Sequence, residues 1–111
     1  MTNATDLRGF VRVARLSDVP LGEARTYDTG EYSVALCNVD GVIYAINNLC
    51  SHDDGPLGSG KLIGAEIECP RHGARFNVTT GAVTCMPAAV GIDTFQTKLV
   101  GEDIYVKLEW A

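Results

Sequence analysis

Cys50-Ser51-His52 and Cys69-Pro70-Arg71-His72 stand sixteen residues apart and gather both histidines and two of the four cysteines of the chain. A thiolate and an imidazole from each segment make a donor set of two sulfurs and two nitrogens. That set suits either a tetrahedral zinc ion or a two-iron, two-sulfide cluster with mixed ligation. The spacing separates the two. Zinc modules of this composition usually keep like ligands together, two Cys in one half and two His in the other, whereas here each half supplies one of each. A mixed-ligand cluster carries its histidines on one iron and its cysteines on the other, so each segment must deliver one ligand to each iron.

With their flanks, the two segments resemble the Rieske signature. Cys50-Ser51-His52-Asp53-Asp54-Gly55-Pro56-Leu57 and Cys69-Pro70-Arg71-His72-Gly73-Ala74-Arg75-Phe76 are similar to its two cluster loops, and Met86-Pro87-Ala88 to the proline-containing third loop that shields the cluster. The resemblance runs from about Phe10 to Leu108. It implies one Rieske-type [2Fe-2S] cluster per chain, with Cys50 and Cys69 on the buried iron and His52 and His72 on the outer one, near solvent. It also implies a low potential. High-potential members carry an extra cysteine in each loop, where this chain has Gly55 and Arg71, and a Ser and a Tyr that donate hydrogen bonds to sulfur, where it has Ala74 and Phe76. A zinc-stabilised interaction module without redox chemistry is the alternative that the ligand types leave open.

Around the ligands, Gly55, Gly58, Gly60 and Gly73 can bring bare backbone close to the inorganic sulfides, and Pro56, Pro70 and Pro87 stiffen the segments. Asp53 and Asp54 form either a solvated loop tip or a rim that meets a partner, where their charge would oppose electron uptake. Cys37 and Cys85 are expected to be reduced thiols packed in the core.

The chain's missing chemistry defines its function. No histidine follows His72 to help build a mononuclear iron site, and no Gly-x-Gly-x-x-Gly fingerprint is present. The protein can carry one electron but neither accept hydride nor activate oxygen. In this short form it resembles the ferredoxin component of multicomponent aromatic-ring dioxygenases, a non-enzymatic carrier. The resemblance implies two partners, an NAD(P)H-dependent flavin reductase and a terminal Rieske non-haem iron oxygenase, both docking at the cluster tip. A small Rieske-like subunit of another reductase, such as nitrite reductase, is the alternative role.

Composition agrees with a single domain over residues 1–111. A chain of 111 residues buries roughly 65% of its unfolded surface, enough for one core. A net charge of −5 argues against nucleic acid and anionic lipid, which need Lys and Arg to neutralise phosphate, and suits a more basic protein partner. No apolar run is long enough to span a membrane, and residues 1–9 show no basic start followed by an apolar stretch. The expectation is a cytoplasmic monomer.

The elements that must hold the ligands read as short strands. Asp40-Gly41 is the strongest hairpin signal, joining Tyr32–Val39 to the alternating run from Val42 to Ile46. A second hairpin runs from Phe95 through Thr97 and Leu99, turns at Gly101-Glu102-Asp103, and returns through Ile104, Val106 and Leu108. Weaker strands are expected at Phe10–Val13, Arg25–Tyr27, Ala65–Glu68 and Arg75–Val78, with no helical period anywhere. The fold class is therefore all-β. Under the resemblance it is a Rieske-type fold of short antiparallel strands in small stacked sheets, its cluster-binding loops at one tip just past the strands ending near Leu49 and Glu68.

Overall fold

The computed structural model describes residues 7–30, 32–48, 57–70, 73–85 and 91–108. Eleven strands are found there: β1 (Phe10–Arg15), β2 (Ala24–Asp28), β3 (Ser33–Val39), β4 (Val42–Asn47), β5 (Lys61–Ile63), β6 (Glu66–Glu68), β7 (Arg75–Asn77), β8 (Val83–Cys85), β9 (Thr94–Phe95), β10 (Thr97–Val100) and β11 (Asp103–Lys107). They form three antiparallel sheets, β1-β11-β10, β2-β3-β4-β9 and β5-β6-β7-β8. The one helical element among the described residues is a 3-10 turn at Leu16–Asp18. The expected all-β class, with small sheets of short strands, is the architecture observed.

The four-stranded sheet containing β3 and β4 is the middle layer, and its sequence says so. In β3, Val34, Ala35, Leu36 and Cys37 are all fully buried, an unbroken run of the kind a strand shows when both faces are covered. Val34 and Leu36 join Ala14, Ile104 and Val106 of the first sheet in one core. Ala35 and Cys37 join Ile67 and Phe76 of the third sheet, and Val78 just past β7, in the other. Alternation in β4 divides the same way, Ile43 and Ala45 toward the first sheet and Ile46 toward the third.

Asp40 (φ 53°) and Gly41 (φ 92°) both take positive φ, the two-residue turn that matches the twist of a hairpin. Asn38 braces it. Its Oδ1 accepts from the Gly41 N–H at 2.9 Å, while its Nδ2 donates to the Val19 carbonyl at 2.8 Å. The expected strand from Phe95 to Leu99 is two strands. Thr94–Phe95 pairs with β4 in the middle sheet, and after Gln96 the chain crosses to pair with β11 in the first. The Thr97 hydroxyl, donating to the Ile43 carbonyl at 2.9 Å, ties the crossing to β4. Leu99, which alternation places inward, is 49% exposed, because β10 is the edge of its sheet.

Candidate metal centre

Of the four expected ligands, Cys69 is described; Cys50, His52 and His72 lie outside the described residues, as do Asp53, Asp54, Gly55, Pro56, Arg71, Met86, Pro87 and Ala88. Cys69 follows directly on β6 and is 1% exposed. Its backbone is pinned at both polar atoms. The Cys69 N–H donates to the Ala74 carbonyl at 2.7 Å, and the Cys69 carbonyl accepts from the Gly73 N–H at 3.0 Å. Gly73 closes this turn at φ 78°, a left-handed conformation costly for residues with a Cβ.

Cys69 shares its core with Leu57, Ile67, Ala74 and Phe76, all fully buried. Leu57 is the first described residue after the segment carrying Cys50 and His52, so the end of one ligand segment and the start of the other are rooted in one apolar cluster. The preceding end is anchored by Asn48, 8% exposed, whose Oδ1 accepts from the Gly58 N–H at 2.6 Å and whose Nδ2 donates to the Ser33 Oγ at 3.0 Å. Asn47 N–H donates to the Asp93 carbonyl at 2.9 Å, tying the same strand end to the chain that follows residues 86–90.

Charge next to the ligand turn is held by a small network. Glu68 and Arg75 are cross-strand partners, with Arg75 Nε 3.2 Å from Glu68 Oε2 and its Nη1 3.9 Å from Glu66 Oε1. All three are partly exposed, so the pairs add little stability.

One expectation is corrected, and two glycines gain a packing reason. A Cβ on Gly58 would overlap Thr26 Cγ2, and one on Gly60 would overlap the Glu68 carbonyl oxygen. Cys85 is not in the core. It ends β8, the edge strand of its sheet opposite Arg75, and is exposed. Cys37 is buried as expected, and burial pushes its thiol up to about 12. Residues missed from sequence are Asn48 and the Glu68–Arg75 pair; the Asn47-Asn48 doublet at a strand end was the signal for the first, since Asn side chains there bond nearby backbone.

The residues present fit an iron-sulfur group. Cys69 offers a sulfur donor directly after β6, on a backbone hydrogen-bonded at both polar atoms and covered by Leu57, Ile67, Ala74 and Phe76. Among the described residues no helix is long and apolar enough to cross a membrane.

Residues 9–96 match the family described as the Rieske [2Fe-2S] domain. The chain is 36% identical over 102 residues, 92% of its length and 98% of the relative's, to the ferredoxin component of the naphthalene 1,2-dioxygenase/salicylate 5-hydroxylase systems of a Ralstonia species. Among solved structures it is similar to the ferredoxin of carbazole 1,9a-dioxygenase from Nocardioides aromaticivorans, with TM-score 0.86 and 34% identity over 90% of this chain and 98% of that one. It is also similar to a chain in a complex of reduced oxygenase and oxidized ferredoxin of carbazole 1,9a-dioxygenase, with TM-score 0.83 and 32% identity over 88% of this chain and 92% of that one.

Proposed function

The chain belongs to the Rieske [2Fe-2S] domain family, and from that premise we propose that it is the ferredoxin component of a multicomponent aromatic-ring dioxygenase, passing electrons from an NAD(P)H-dependent flavin reductase to a terminal Rieske non-haem iron oxygenase. The observation that carries the reading is the near-complete overlap with a dioxygenase ferredoxin, 98% of whose length is matched. Such a protein is a carrier and not an enzyme. The structure of a related ferredoxin with its oxygenase supports the oxygenase as one partner.

The cofactor is a Rieske-type [2Fe-2S] cluster, which when bound takes up and returns one electron. Cys50 and Cys69 hold the buried iron and His52 and His72 the outer one. The burial of Cys69 supports its place on the inner side, and the common core beneath Leu57 and Cys69 supports the convergence of the two segments. Residues 1–111 form one Rieske domain, working as a monomer in the cytoplasm, without nucleic acid or membrane. Because both partners dock at the tip, each encounter must be brief and of the small-interface class.

Reconstitution tests the reading. The purified protein, mixed with NADH or NADPH, candidate flavin reductases and candidate terminal oxygenases, should support turnover of an aromatic substrate and be required for it. Failure to accept electrons from any dioxygenase reductase, with the cluster intact, would overturn the role.

A further inference from the structure

We propose that Asn48 is a positioning residue for the cluster, acting by locking together the two ends of the segment that carries Cys50 and His52. The inference rests on the ligand assignment above and extends it to a residue that is not itself a ligand.

Three hydrogen bonds converge on this side chain and its backbone. Oδ1 accepts from the Gly58 N–H at 2.6 Å, Nδ2 donates to Ser33 Oγ at 3.0 Å, and the Asn48 N–H donates to the Ser33 carbonyl at 2.9 Å. One residue thus joins the end of β4, the start of β3 and the chain ten positions further on. Gly58 cannot yield. Its backbone lies so close to β2 and β3 that a Cβ would overlap Thr26 Cγ2 and stand 3.2 Å from Asn48 Oδ1 and 3.3 Å from Ala35 Cβ. The far end of the clamp is therefore seated on the rigid middle sheet, and the intervening chain begins and ends at fixed points. Asn48 is 8% exposed and its bond to Gly58 is buried, so truncating the side chain would leave the Gly58 N–H unsatisfied instead of paired with water.

The residue type matters. A Ser or Thr is too short to reach both Ser33 and Gly58. An Asp reaches both, because the Ser33 hydroxyl can turn to donate, but sets a negative charge two positions from Cys50. Asn makes both bonds while staying neutral. Groups that orient metal ligands through hydrogen bonds are worth about ten- to a hundredfold in metal affinity, and a clamp at the root of a ligand segment acts on both of its ligands together.

The test uses the cluster-loaded protein and four variants, Asn48→Ala, Asn48→Asp, Ser33→Ala and Cys50→Ala. Iron release to a strong chelator is followed well below the melting temperature, together with visible circular dichroism and the electron paramagnetic resonance of the reduced protein. Asn48→Ala should release iron roughly tenfold faster or more and shift both spectra. Asn48→Asp, which keeps both bonds, should release at close to the wild-type rate. Ser33→Ala, which leaves the Gly58 bond, should fall between and serves as the probe if Asn48→Ala does not fold. A merely structural Asn48 would lower the melting temperature with unchanged spectra and release rate, and that result, or equally fast release from Asn48→Asp and Asn48→Ala, overturns the proposal. Cys50→Ala separates the two layers of argument. If it keeps the cluster, the ligand assignment has failed; if it loses the cluster while Asn48→Ala behaves as wild type, only the clamp has failed.

Discussion

Cys69 and Ala74 face each other across a tight turn, the Cys69 N–H donating to the Ala74 carbonyl at 2.7 Å, with Gly73 between them at φ 78°. Gly73 and Gly60 are both glycines beside this turn, but they are there for different reasons. Among the described residues nothing lies within 4 Å of a Cβ at Gly73, whereas at Gly60 a Cβ would overlap the Glu68 carbonyl oxygen. Gly73→Ala should cost the backbone strain of a left-handed alanine, about 1–2 kcal/mol, and keep the visible spectrum. Gly60→Ala forces the strand end before Cys69 to move, and should cost more and weaken iron retention. Thermal melts of the loaded variants check the order, which reversed would contradict the described turn.

The ligand assignment predicts composition as well as loss. Aerobically purified protein should be red-brown, with about two irons and two acid-labile sulfides per chain. His52→Ala and His72→Ala each remove one of the two protein ligands proposed for the outer iron, so each should lose the cluster or hold it weakly. Iron and sulfide analysis decides this, and a colourless zinc protein would be incompatible with it.

Cys37 and Cys85 should behave as opposites. Neither is placed to bond the other, Cys37 lying fully buried between the middle and third sheets and Cys85 exposed on an edge strand. An alkylating reagent should label Cys85 in the native protein and Cys37 only after unfolding. Truncating Cys37 to Ala should cost about 1–2 kcal/mol as a small core cavity, and truncating Cys85 roughly 0.5 kcal/mol or less. The Cys37 thiol is raised by burial from 9.0 to about 12. Above pH 9 the unfolded chain thus releases a proton that the folded chain retains. This contribution is complete below pH 9 and is lost as pH rises toward 12, with a limiting slope of about 1.4 kcal/mol per pH unit. Denaturant melts of wild type and Cys37→Ala between pH 8 and 11 should differ in slope in that sense, and parallel curves would exclude it.

Legibility in the sequence followed the strength of the local signal. The Asp40-Gly41 turn could be read because a two-residue hairpin demands positive φ at both positions, and β3 because it leads into that turn and carries the unbroken apolar run Val34 to Cys37. Lys61–Ile63 and Val83–Cys85 could not, since three residues carry too little alternation to show a period. The crossing at Gln96 was hidden because Phe95, Thr97 and Leu99 keep their alternation while their pairing partners change. At the metal centre, residue types and spacing point to the proposed ligands, but the packing and hydrogen bonds beside them depend on neighbours distant in sequence. Asn48 reaches Ser33 and Gly58, Gly60 meets Glu68, and Cys85 lies at an edge that only sheet order reveals.

The last prediction concerns the potential and rests on Ala74 and Phe76. Both are fully buried in the cluster of side chains that contains Cys69, and neither side chain can donate a hydrogen bond. A donor to sulfur stabilises the reduced state more than the oxidised one, so its absence lowers the potential. The wild-type value should lie near the bottom of the range of roughly −150 to +300 mV for Rieske centres, where a nicotinamide-linked reductase can still supply the electron. Ala74→Ser and Phe76→Tyr should each raise it. Phe76→Tyr is the more demanding change, because a phenol buried without a partner costs about 1–3 kcal/mol, so a raised potential with little loss of stability would show that the hydroxyl has found sulfur. Film voltammetry gives the potentials directly. A wild-type value above about +100 mV, or no rise in either variant, would contradict the account of how this chain sets its potential.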